Sequence, residues 1–86
     1  MPRFLACHTV PGVTQKMLED VNKAAQQDRQ VKGISSYTSL SEGVVHCIFE
    51  APSQEVLAGW FKKMKMPYDR ITKLELEGSA GVFRKV

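Results

Sequence analysis

Apolar and polar positions alternate with period two through residues 3–10 (RFLACHTV), which predicts a strand. Phe4, Ala6, His8 and Val10 share one side of it, and Leu5, Cys7 and Thr9 the other. Pro11-Gly12 ends the strand, and Thr14 is placed to cap a helix over residues 15–28. Met17, Leu18, Val21, Ala24 and Ala25 recur at helical spacing as one stripe, with Lys16, Glu19, Lys23 and Gln27 toward water. Residues 32–40 (KGISSYTSL) are rich in β-formers. The short turn Ser41-Glu42-Gly43 joins them as a hairpin to residues 44–50 (VVHCIFE). That strand places Val45, Cys47 and Phe49 on one side and Val44, His46, Ile48 and Glu50 on the other. After Pro52, Ser53 caps a second helix whose face is Val56, Leu57, Trp60, Phe61 and Met64. Pro67 predicts its end, because the residue before a proline disfavours helical angles. Residues 70–76 (RITKLEL) read as a fourth strand. A turn at 78–81 leads to a short fifth strand or a tail.

The order β-α-β-β-α-β is the split β-α-β signature of an α+β, ferredoxin-like domain, with an antiparallel sheet and both helices on one face. Residues 1–86 are expected to form a single domain. The other sheet face is left open. With His8, His46, Phe4, Val10, Val44 and Ile48 assigned to it, that face is too apolar to stay wet in a monomer. The expectation is a homodimer stacked through the open face, or a ligand held there.

Composition narrows the function classes. The chain is 43% hydrophobic and 24% charged, a globular balance, and its formal charge is +3. The densest basic group, Lys62, Lys63 and Lys65, falls at a helix end where it complements the helix dipole. No nucleic-acid-binding motif accompanies it, so no nucleic-acid partner is expected. No run is long and apolar enough for a membrane span, and the N-terminus lacks a signal core, so no membrane partner and a cytoplasmic location are expected. Cys7 and Cys47, forty positions apart, form neither a CxxC pair nor a disulfide framework.

The candidate chemistry is sparse. His8 and His46, assigned to the same face of adjacent central strands with Glu50, suit a divalent transition metal. Cys47 becomes a further ligand if the strand phase shifts by one residue. Tyr37, Tyr68 and Asp69 are polar candidates for a ligand-binding rim. Glycine-rich phosphate loops, GxSxG, HExxH and paired-carboxylate motifs are absent.

Several blocks resemble a known family: Arg3-Phe4-Leu5 with His8-Thr9 and Pro11-Gly12, then Ser36-Tyr37, Cys47-Ile48-Phe49-Glu50-Ala51-Pro52, and Met66-Pro67-Tyr68-Asp69-Arg70-Ile71. They are similar to a group of small bacterial proteins catalogued as a domain of unknown function, one of which is described as nickel-binding. The similarity runs from residue 3 to about residue 77. It implies a ferredoxin-like fold, a dimer, and nickel or another divalent ion held by histidine or similar side chains. His8, Tyr37, Cys47, Glu50 and Asp69 fall in the matching blocks, whereas His46 does not belong to the family pattern. Three functions follow: a small metal-binding protein, a non-catalytic dimeric scaffold or ligand-binding domain, and a small dimeric α/β-barrel enzyme of monooxygenase or isomerase type.

Overall fold

In a computed structural model, which describes residues 1–86, the expected order is present and extended by a terminal hairpin. Strand β1 is Arg3–Thr9, helix α1 Gln15–Gln27, β2 Lys32–Ser39, β3 Val44–Glu50 and α2 Gln54–Lys63. Strands β4 (Arg70–Lys73), β5 (Leu76–Ser79) and β6 (Val82–Lys85) complete the chain. The main sheet has the order β2-β3-β1-β4 with every neighbour antiparallel. This is the ferredoxin-like arrangement, with β1 and β3 at its centre.

Local chemistry sets the element ends. The hydroxyls of Thr14 and Ser53 accept from the backbone N–H groups of Met17 and Val56, both at 3.2 Å, and so cap the two helices. The β2–β3 turn requires Gly43 at φ +68°, where a Cβ would lie 2.9 Å from the Val10 carbonyl oxygen. Helix α2 stops at Lys63, four residues before Pro67, and its end is closed by main-chain bonds rather than by the proline. The N–H of Lys65 donates to Lys62 O at 3.1 Å, and that of Met66 to Phe61 O at 2.9 Å. This Schellman closure holds Lys65 in the left-handed region at φ 56°.

The core lies between the sheet and the helices. Phe4, Ala6 and His8 of β1 and Val45, Cys47 and Phe49 of β3 are buried against Leu57, Trp60 and Phe61 of α2 and Ala25 of α1. The Phe61 ring stands edge-on to Phe49 at 5.3 Å and to His8 at 4.9 Å. On α1 only Ala25 is fully buried, and Met17 is largely exposed.

Two expectations are corrected. The fourth strand ends at Lys73, and Leu76 belongs to a separate two-stranded sheet of β5 and β6. The second correction concerns which sides of the central strands face together. Alternation within each strand is as expected, but β1 and β3 pair as Phe4↔Phe49, Cys7↔His46 and His8↔Val45. Directly opposed residues share a face. The side of β1 that carries Phe4 and His8 therefore faces the helices with Val45 and Cys47. The uncovered side carries Leu5 and Cys7 with His46 and Ile48. The two histidines lie on opposite faces of the sheet.

Candidate functional site on the uncovered sheet face

His46 projects from the middle of β3 with Cys7 directly across on β1 and Tyr37 directly across on β2. Arg70 of β4 continues the same row beyond Cys7. His46 and Tyr37 are exposed and Cys7 is half-buried. Beneath this row, Ser35, Ile48, Leu5 and Thr72 form the next. Directly opposed residues in an antiparallel pair hold their Cβ atoms about 5 Å apart, so the Cys7 sulfur and the His46 ring can reach a common ion. The sequence does not predict this Cys–His pair, because it assigns Cys7 to the side of the sheet opposite His8 and His46.

The row farthest from the β2–β3 turn, Arg3 opposite Glu50, differs in character. Arg3 donates from Nε to Glu50 at 3.0 Å and from a terminal nitrogen to Glu77 at 2.7 Å, and Arg84 donates to Glu77 at 3.0 Å. Hydrogen bonds donated to Glu50 and then Glu77 raise the Arg3 pKa further. Those from Arg84 and then Arg3 hold the Glu77 carboxyl below its usual range. Glu50, expected as a metal ligand, is thus engaged by an arginine.

His8 sits on the other side of the sheet and is completely buried. Its Nδ1 lies 2.8 Å from the Pro67 carbonyl oxygen. A carbonyl only accepts, so Nδ1 carries the proton and Nε2 of the neutral ring is a bare acceptor. That Nε2 is a buried side-chain atom with no hydrogen-bond partner. A second proton there would be a charge in the core without an acceptor. Burial accordingly lowers the His8 pKa, opposed in part by the Pro67 carbonyl and the Asp69 carboxylate. Cys47 shares this side, and its thiol lies 3.5 Å from Ser36 Oγ. Burial pushes the Cys47 pKa up, so it remains a thiol.

The rim candidates are also separated. Asp69 accepts from Thr9 Oγ1 at 2.6 Å beside the end of β1, while Tyr68 packs its ring on Phe61 at 5.7 Å. Tyr37 is on the uncovered face, two strands away. A cleft of 380 Å³ opens between α1 and the β2–β3 sheet, bordered by Leu18, Asn22, Ser36, Cys47 and Phe49. None of Tyr37, Tyr68 and Asp69 borders it.

Within one chain no group of three or more His, Cys, Asp or Glu side chains converges as a metal site. His8, His46, Cys47 and Glu50 do not form a common ligand set: two lie under the helices, one is exposed on the opposite face, and one is ion-paired. What the fold does assemble is a pair of donors, one soft and one borderline, on a face that no helix covers.

Such a protein is an open-faced ferredoxin-like α+β domain. The sequence profile of the nickel-responsive SCO4226-like proteins matches residues 4–74, and the chain belongs to that family. The crystal structure of SCO4226 from Streptomyces coelicolor A3(2) superposes with a TM-score of 0.75 at 21% identity, covering 88% of this chain and 99% of that one. At that identity the likeness shows the fold. No curated protein sequence matches the chain.

Proposed function

We propose that the protein binds a divalent transition metal, nickel or a similar ion, between two copies stacked through their uncovered faces. Cys7 and His46 of each copy are the donors. The carrying observation is the direct cross-strand opposition of Cys7 and His46 on the face without helices. One chain offers two donors, and a stacked pair offers four, the number that nitrogen and sulfur sites for such ions use. Stacked sheets lie about 10 Å apart, so an ion midway is about 5 Å from each strand. A metal–thiolate bond of about 2.3 Å added to a cysteine side chain spans that distance. The family's nickel-responsive description supports the choice of metal.

The test is calorimetric titration with nickel at a pH where imidazole is neutral. His46→Ala and Cys7→Ser are expected to weaken binding by about tenfold or more each, and His8→Leu to leave it unchanged. Wild-type affinity no tighter than about millimolar, or full affinity in both face variants, overturns the proposal. Because the donors bind as neutral imidazole and thiolate, metal binding releases protons and affinity is expected to rise with pH.

A further inference from the structure

The β5–β6 hairpin lies beyond residues 4–74, the family-matched region, and contributes nothing to the core. Among Leu76–Lys85 only Glu77 is even half-buried, while Leu76, Val82 and Phe83 are 58%, 70% and 71% exposed. A lone two-stranded hairpin is marginal in water, so this one needs a surface to rest on. Its attachment shows the direction it faces. Arg3 and Glu50 belong to the uncovered side of the sheet, and Arg3 grips Glu77, which also binds Arg84 directly across the hairpin. By alternation Val82 and Val86 lie on the same side as Arg84, and Leu76 and Phe83 on the other. The Phe83 ring has a local place, flat over Gly78, where a Cβ would come within 2.6 Å of it. Val82 stays 70% exposed and Val86 39%.

We infer that the hairpin is an arm that extends the stacking face and packs on a second copy of this chain, with Val82 and Val86 as its contacts. This rests on the stacked pair proposed above. Area favours the second copy as occupant. Strands of seven, eight, seven and four residues give the open face a flat footprint of roughly 410 Å². Stable complexes bury about 800 Å² of accessible surface on each partner, so a face this small gains from any apolar extension beside it. The hairpin adds roughly 10 by 13 Å, nearly a third more. It adds this on the side already continuous with the sheet through the Arg3–Glu77–Arg84 bonds.

Sedimentation equilibrium of the full chain tests the arm, with Trp60 emission as a check that each variant is folded. The doubly substituted Val82→Ser, Val86→Ser protein is expected to dimerise about tenfold more weakly than wild type, and Leu76→Ser within about twofold of it. If Ile48→Asp on the sheet face breaks the dimer while the Val82, Val86 variant matches wild type, the arm is overturned and the stacked pair stands. If Leu76→Ser weakens the dimer as much as the valine changes do, the assigned side is wrong and the inference fails. A wild-type chain that stays monomeric at about 100 μM overturns both the arm and the stacking.

Discussion

Replacing His8 with leucine isolates what a sealed imidazole does to this small core. The ring donates one hydrogen bond to Pro67 O and leaves Nε2 without a partner, fully buried against Phe61. The variant loses a bond with a net worth of about 1 kcal/mol. It also removes an orphaned acceptor whose burial costs about 1–3 kcal/mol. At pH 7.5 the two effects nearly cancel, and His8→Leu is expected within about 1 kcal/mol of wild type or slightly above it. The pH dependence separates them. Burial depresses the His8 pKa in the folded chain below its ordinary 6.5. The unfolded chain therefore takes up a proton first as pH falls. The stability tied to neutral His8 is complete above about pH 6.5 and is lost below it until the folded-state pKa is reached. For one such proton the loss between pH 7.5 and 5.5 is as much as about 1.4 kcal/mol. Asp28 and Glu77, whose carboxyls are lowered, act only in the more acid carboxylate range, outside that window. Urea unfolding followed by Trp60 fluorescence, at fixed protein concentration and pH 7.5, 6.5 and 5.5, measures the difference. Wild type is expected to weaken through the window and His8→Leu to be flatter. Equal slopes in the two proteins, or wild-type stability that rises as pH falls, would refute the account of His8.

Three further outcomes follow from the same geometry. Lys65→Gly relieves a left-handed residue at the end of α2 and is expected to stabilise the fold by about 1 kcal/mol in urea unfolding, whereas Lys65→Ala gains nothing comparable. Phe61→Ala removes the ring that touches His8, Phe49, Trp60 and Tyr68, and is expected to cost about 3–5 kcal/mol by the same assay. On the metal-free chain diluted to the monomer, a thiol reagent is expected to modify Cys7 on the uncovered face well before Cys47, whose thiol is buried and raised in pKa, with mass spectrometry reading the order.

Much of the fold was legible because short strands and helices carry their own periodicities. The caps Thr14 and Ser53, the turn at Gly43 and the apolar face of α2 were each readable from a few neighbouring residues. The site was not. Alternation divides β1 into two sides and β3 into two sides, but it does not say which side of one joins which side of the other. That depends on register, and the pairing of Cys7 with His46 is a property of both strands together. His8 and His46 look equivalent within their own strands, yet one packs on Phe61 and the other faces outward. The terminal hairpin was legible only in part: the sequence predicts a turn at 78–81 with a short strand or tail after it, but places Leu76 in the fourth strand. Its turn places Ala80 at φ 52° before Gly81, a position where Asn, Asp or Gly is the usual signal, so the residues that mark such turns are only half present.

The stoichiometry of nickel measured together with the mass of the species that binds it tests the shared Cys7–His46 site most directly. The account predicts one ion bound per two chains, with metal and dimer lost together in His46→Ala. One ion per chain on a monomer, undisturbed by that substitution, would contradict it.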